Sequence, residues 1–225
     1  MQRALELLGN ALQRDPLYAS ALAAVAMCHQ NSHVSGWSDD EKNARNLGIE
    51  FARRALRFAS DDPSVLGDVA YVLGYFERDI GPAITLADRS LELNPSFALG
   101  WLRSGWLRLW SGQTAVGIAH IDKALRLNPR GKAPANFARG VAHFFERRLE
   151  KAASMLLLSL DESPNWAPAH RFLASCYAHM GRLSDAAEVV ATLRKITPVI
   201  IPSSEHWRIL EDREFFLEGL RRAAA

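Results

Sequence analysis

Histidines and cysteines are the first side chains to consider for chemistry in this sequence. His29 and His33 are four residues apart, so on one helix both imidazoles share a face, as they do in many metal sites. No third ligand stands at a matching spacing, and a stable site needs three or four. Cys28 and Cys176 lie far apart without a C-x-x-C pattern, which excludes a zinc knuckle and a disulfide framework. We therefore expect no metal site.

The motifs of the common catalytic classes are absent from the sequence. It has no Gly-rich phosphate loop, no G-x-S-x-G and no H-E-x-x-H. Paired carboxylates at Asp39-Asp40 and Asp61-Asp62 precede predicted helices, where negative charge stabilises a helix N-terminus. The sequence therefore predicts a protein that is not an enzyme, with no catalytic residues and no cofactor.

The composition of the chain limits which partners and which cellular compartment we expect for the protein. The 27 basic and 25 acidic residues leave a formal charge of +2, so no bulk field attracts nucleic acid, and small arginine clusters are interpreted as solvated helix surface. The longest uncharged stretch, Leu17 to Ser38, is interrupted by polar residues and does not supply the ~20 apolar residues of a membrane span. We expect a cytoplasmic protein without a membrane partner. A nucleic-acid contact through the arginine clusters is the less favoured alternative, and it predicts an affinity that falls steeply with salt.

The elements that position the side chains follow from an internal repeat. Four X-Pro dipeptides recur with proline spacings of 34, 35 and 34 residues, and Ser60 stands 35 residues before the first of these prolines. Such a period is typical of helical repeat arrays. The repeat anchors are Pro16, Ser60, Pro95, Pro129, Pro164 and Pro198.

Small residues recur at fixed offsets from these anchors. Twelve residues before each anchor the chain has Ala4, Gly48, Ala83, Gly117, Ala152 and Ala186. A second small residue follows most anchors by ten or eleven positions, inside another apolar segment, as at Gly105 and Gly140. Apolar positions recur every three or four residues, and no segment alternates as a strand would. Each unit is predicted to be a helical hairpin, and the chain to be all-α.

These residues resemble the tetratricopeptide repeat (TPR). The resemblance is carried by Trp101-x-x-Ser104-Gly105, Gly112 and Ala124-Leu125-x-Leu127-Asn128-Pro129. It implies a right-handed α-solenoid. We predict a TPR array over 1–198, with a leading half-repeat at 1–16, repeats at about 17–62, 63–96, 97–130, 131–165 and 166–199, and a C-terminal capping helix at 200–225.

Two segments depart from the plain array. The first complete repeat has about ten extra residues, which we place between its helices, with a loop from His33 to Trp37 and a helix N-cap at Ser38. In the predicted capping helix, Trp207, Leu210, Leu217 and Leu220 share one face.

Short motifs resemble a narrower group of proteins. Gly36-Trp37-Ser38-Asp39-Asp40 and the ending Phe216-Leu217-Glu218-Gly219-Leu220 are similar to the C-terminal TPR region of bacterial signalling regulators. In that group the N-terminal part is a class III adenylate cyclase-like domain or a winged-helix domain. The resemblance implies a regulatory module of a larger signalling protein.

The candidate binding residues lie on the first helices of the repeats, which line the concave surface of such a solenoid. Aromatic and arginine side chains dominate binding hot spots because they bury much area with few polar groups. An equally weighted alternative is that they only fill the core. The predicted groove residues are Tyr71, Tyr75, Arg103, Trp106, Trp110, Phe137, Val141, Phe144 and Arg171.

The sequence thus predicts a protein-interaction scaffold that binds a peptide or helix of a protein partner in this groove. The alternative hypothesis is a dimerisation module that controls an attached cyclase or DNA-binding domain. Its homodimer contact would be the N-terminal helix, through the apolar side chains of Leu5, Leu8 and Leu12.

Overall fold

The computed structural model describes residues 1–225 and contains twelve α-helices and no strand. None of the helices combines the length and the apolar character that a bilayer crossing requires. The helices are α1 Gln2–Arg14, α2 Ala19–Ser35, α3 Glu41–Phe58, α4 Pro63–Phe76, α5 Gly81–Leu93, α6 Ala98–Trp110, α7 Thr114–Leu127, α8 Lys132–Phe145, α9 Leu149–Glu162, α10 Ala167–His179, α11 Leu183–Ile196 and α12 Leu210–Ala224.

Ten of these helices form consecutive hairpins. The partners are α2 with α3, α4 with α5, α6 with α7, α8 with α9 and α10 with α11. Small residues allow the close approach that the sequence predicted: a Cβ on Gly105 would meet the Gly117 carbonyl and Ile121. The predicted all-α fold built from helical hairpins is confirmed.

Helix ends follow the local sequence. Helices α5, α7, α9 and α11 each stop two residues before their anchor proline, because the residue preceding a proline is disfavoured in helical conformation. At the start of α4, the Asp62 carboxylate accepts hydrogen bonds from the backbone N–H groups of Ser64 and Val65, and Pro63 occupies the first turn, where no N–H is needed.

The inserted residues of the first hairpin lengthen its helices. Helix α2 has 17 residues and α3 has 18, whereas the first helices of the following hairpins have 13 or 14. The predicted loop from His33 to Trp37 is therefore wrong, because α2 continues to Ser35 and ends at Gly36 with φ 74°, a left-handed conformation that suits glycine. The N-cap of α3 is Asp40 and not Ser38.

The chain after α11 does not continue directly into a helix. Residues 197–209, hereafter the crossing segment, have no regular secondary structure and pass over the C-terminal ends of α4, α6 and α8. Trp207 belongs to this segment, so its predicted place on the final helix is wrong. Helix α12 packs mainly against α10, where it buries Phe216 and Leu220, whereas Leu210 is exposed.

The two ends of the array meet through Arg171 of α10. Its guanidinium donates to the carbonyl oxygens of Val34 at 2.7 Å and Ser35 at 3.2 Å, at the C-terminal end of α2, and to Val199 of the crossing segment at 2.8 Å. Nearby, the Thr197 hydroxyl donates to the Gly36 carbonyl at 3.0 Å. The extra length of α2 is what brings these groups together, and the concave surface is closed at one side.

Candidate partner-binding cavity

A cavity of about 380 Å³ lies inside the concave surface. Of its 20 lining residues 13 are hydrophobic, so a ligand would meet mostly apolar walls. The walls come from helices α2, α4, α6, α8 and α10, from the end of α9 and from the crossing segment. The lining residues are Met27, Asn31, Val34, Tyr71, Tyr75, Leu99, Leu102, Arg103, Trp106, Trp110, Ala133, Pro134, Phe137, Ser159, Ser163, Trp166, Pro168, Phe172, His206 and Trp207.

One part of the concave surface, the closed half, lies under the crossing segment and is formed by Tyr75, Trp110, Phe145 and Phe172. The His206 ring stacks on Tyr75 with centroids 4.5 Å apart, and the Trp207 ring lies 4.6 Å from that of Phe145. The Arg208 N–H donates to the Trp110 carbonyl at 2.9 Å. The chain itself therefore occupies this half.

The other part, the open half, is formed by Tyr71, Trp106, Phe137 and Trp166, with Leu99 at its mouth. The Trp106 and Phe137 rings are 5.1 Å apart, and Phe137 meets the edge of Trp166 at 6.1 Å. No residue of the crossing segment stacks on these four rings. Leu99 is 45% exposed, so this half opens to solvent.

Arg103 is the one charged side chain in the cavity wall, and it is neutralised. Its guanidinium forms an ion pair with Asp68 of α4, and both side chains are largely buried. Burial lowers the pKa of Arg103, and the Asp68 carboxylate opposes that shift. Because the pair carries no net charge, the cavity offers little attraction to either an anion or a cation.

The hydroxyl and imidazole groups at the cavity are uncharged near neutral pH. Burial raises the pKa of the Tyr71 and Tyr75 hydroxyls, which therefore stay protonated. Burial also lowers the pKa of His33 and, more strongly, that of His206, where Arg208 adds repulsion of the charged form. The His33 ring does not line the cavity but contacts the hydroxyl of Tyr75, which does, at 3.2 Å.

The structure brings six of the nine predicted groove residues to the cavity. The six are Tyr71, Tyr75, Arg103, Trp106, Trp110 and Phe137. Val141 and Phe144 are fully buried between helices and reach no open surface, which removes them from the contact set. Arg171 is also removed, because it is 2% exposed and its Nη1 and Nη2 groups donate to backbone carbonyls.

Several wall residues were missed by the sequence reasoning. Met27, Asn31 and Val34 follow the i, i+4, i+7 spacing of one helix face on α2, a signal that marks a shared surface. Leu99 and Leu102 precede Trp106 at the same kind of spacing on α6. No local pattern indicates His206, because its position depends on where the crossing segment runs.

The predicted self-association residues lie on α1, which has no buried residue. Leu5, Leu8 and Leu12 are each partly covered, and Leu12 packs against the hydrophobic core beside α2. The most exposed leucine of this helix is Leu7, at 56%. A homodimer through α1 stays a prediction.

Comparison with known proteins identifies the fold. TTC0263 of Thermus thermophilus, a TPR protein, superposes with a TM-score of 0.61 at 20% identity over 86% of this chain and 99% of its own. This is a TPR solenoid. The type IV pilus biogenesis factor PilW gives a TM-score of 0.60 at 18% identity over 93% and 90% of the two chains.

Human IFIT1, solved as a dimer with PPP-AAAA, gives a TM-score of 0.72 at 18% identity. The match covers 88% of this chain and 46% of IFIT1, so the chain spans about half of that protein. No protein-family model and no curated protein sequence matches the chain. At these identities the likeness establishes the fold alone. None of the three proteins is described as a cyclase or winged-helix regulator, and the narrower resemblance stays a prediction.

Proposed function

We propose that the chain is a non-enzymatic protein-interaction scaffold that binds an extended segment of a partner protein on its concave surface. The observation that carries the proposal is the preformed apolar cavity of about 380 Å³, which rings of both halves line and which reaches solvent at Leu99. Preformed apolar concavities with a few polar groups are the usual location of binding sites. The proposed contact residues are Leu99, Tyr71, Trp106 and Phe137, with Tyr75, Trp110 and Arg103 behind them.

The course of the crossing segment favours a non-helical segment over a bound helix. A helix is about 10 Å wide, and residues 197–209 already lie over the ends of α4, α6 and α8 beside the cavity. The Arg208 N–H donates to the Trp110 carbonyl at 2.9 Å, so backbone outside any helix already contacts this surface.

A nucleic-acid ligand of the kind solved with IFIT1 fits this cavity poorly. A 5′-triphosphate needs several cations, because phosphate contacts dominate the affinity of such ligands. The cavity wall has Arg103 alone, and Asp68 already neutralises it. The resemblance to bacterial signalling regulators supports a regulatory role for the scaffold, with a protein as its partner.

Leu99→Glu tests the proposal with a matched control at Leu158. The two leucines are 45% and 47% exposed, but only Leu99 lies at the cavity, so both variants should fold. A synthetic library of decapeptides would be immobilised and probed with the full-length wild-type chain and each variant. We expect Leu99→Glu to lose the selected peptides, because it places a charge in the apolar mouth, and Leu158→Glu to keep them.

Two results would contradict the proposal. One is that no peptide class is enriched by the wild-type chain over a blank array. The other is equal loss of binding in both leucine variants, which would place the binding surface outside the cavity.

A further inference from the structure

We infer that the open half binds an uncharged aromatic side chain, such as Trp or Phe, projecting from the partner segment. This inference rests on the proposed function and specifies the chemistry of its ligand. It excludes aliphatic, anionic and cationic side chains as the preferred occupant of the cavity.

The first support is the arrangement of rings around the cavity. Tyr71, Trp110, Trp106, Phe137 and Trp166 form a continuous series, with neighbouring centroids 4.9, 6.2, 5.1 and 6.1 Å apart. Their interplanar angles range from 35° to 89°, so the rings of the wall are inclined to one another and do not share a plane. Aromatic pairs are attracted in offset-stacked and edge-to-face geometries, which an aliphatic side chain does not use.

The second support comes from the crossing segment. There the chain places an aromatic ring on the same concave surface: His206 stacks on Tyr75 at an interplanar angle of 30° and meets the edge of Trp110 at 5.7 Å. The neighbouring Arg208 N–H fixes the backbone by donating to the Trp110 carbonyl. The closed half thus shows a turn of irregular chain delivering a ring to this surface, and the open half continues the same surface.

The third support is the absence of free charge in the wall. No Asp, Glu or Lys lines the cavity, and Arg103 is paired with Asp68. An ammonium group is attracted by ring faces, but here it would lose its water to a wall whose nearest carboxylate, Asp68, is already paired with Arg103. A carboxylate would lose water without gaining an unpaired cation. An uncharged ring avoids both costs.

The experiment uses five blocked heptapeptides, Gly-Ser-Gly-X-Gly-Ser-Gly, in which X is Trp, Phe, Leu, Lys or Asp. Each is titrated into the ¹⁵N-labelled full-length chain, and the indole N–H resonances of Trp106 and Trp166 report on the cavity. We expect the Trp and Phe peptides to bind about tenfold more tightly than the Leu peptide, as ring–ring contacts add to apolar burial.

A blocking variant provides the structural control. Ser163 lines the cavity just after the end of α9, whereas Ser154 is exposed on α9 itself. Ser163→Phe should therefore weaken binding of the Trp peptide about tenfold or more. Ser154→Phe should leave that binding unchanged. Thermal unfolding confirms that both variants are folded.

The outcomes separate this inference from the proposed function. If the Leu, Lys or Asp peptide binds as tightly as the Trp peptide and Ser163→Phe still blocks it, the aromatic preference is overturned while binding at the cavity stands. If no peptide shifts the Trp106 or Trp166 resonance, both are overturned.

Discussion

The closed and open halves of the concave surface have the same chemistry and opposite surroundings. Both are built from aromatic side chains on even-numbered helices. In the closed half, His206 and Trp207 of the crossing segment cover Tyr75, Trp110 and Phe145, and Trp207 is only 4% exposed. The rings of the open half line the same cavity as Tyr75 and Trp110, but no residue of the crossing segment stacks on them.

An aromatic stripe along a helical array therefore serves as core where another segment of the chain packs on it. The crossing segment packs on the rings near the C-terminal ends of the helices, and these rings contribute to stability. The rings beyond the segment are the ones that we propose contact a ligand.

The largest effect is expected from removing the cover. Trp207→Ala should lower the free energy of unfolding by about 3–5 kcal/mol, because it leaves a large void among Phe145 and Phe172. The matched deletion in the open half, Trp166→Ala, should cost only about 1–2 kcal/mol, since that ring is partly exposed. Urea unfolding measures both, and equal losses would contradict the division into two halves.

The next effect concerns the contact that holds the ends together. Arg171→Ala should destabilise the chain by about 3 kcal/mol, because the buried carbonyl of Ser35 and the partly buried carbonyls of Val34 and Val199 lose a charged donor. Arg3→Ala is the control, with an expected change within about 0.5 kcal/mol, as its pair with Glu6 is exposed. Hydrogen exchange at the end of α2 should accelerate only in the Arg171 variant. A protection pattern equal to that of the wild type would show that the ends are held by other contacts.

The smallest effect is a pH dependence that belongs to the closed half. Burial lowers the pKa of His206, so below the unfolded-state value of about 6.5 the unfolded chain binds a proton that the folded chain does not. Stability should be level above about pH 7 and fall as the pH drops toward 5, by at most about 1.4 kcal/mol per pH unit for this histidine. The charges of the neighbouring Arg208 and His33 also lower the pKa of His206.

His206→Gln tests this dependence, since an amide cannot take up the proton. The slope between pH 7 and 5 should decrease in that variant and persist in His143→Gln, a histidine that contacts Glu146 and does not line the cavity. An unchanged slope in His206→Gln would assign the pH dependence to other groups.

Much of the fold follows from local signals in the sequence. The anchor prolines stop α5, α7, α9 and α11 where expected, and glycine at Gly105 marks a true close approach of two helices. These features depend on residues within one repeat. For the same reason Tyr71, Trp106 and Phe137 were correctly placed on the concave surface, as a repeat period determines which face each helix turns inward.

The rest depends on contacts between residues distant in sequence. The repeat position of Arg171 predicts that its side chain lies in the groove. Its guanidinium instead donates to the carbonyl of Val34, which is 137 residues away in the sequence. Trp207 looks like part of a helix face because the apolar spacing around it is helical. The periodicity of the sequence does not indicate that the crossing segment returns over α4, α6 and α8. The sequence therefore could not distinguish the closed half from the open half.

The meeting of α2 with Arg171 and Thr197 changes how the array should fold. A plain solenoid is held by neighbouring repeats alone, so it can grow from any point and fray from either end. Here the last native contacts join residues 137 and 161 positions apart. Such long-range closure is entropically costly and raises the contact order. We therefore expect the contact between the end of α2 and Arg171 to form in the slow step of folding. The first and last hairpins should then gain protection from hydrogen exchange together, in a single kinetic phase.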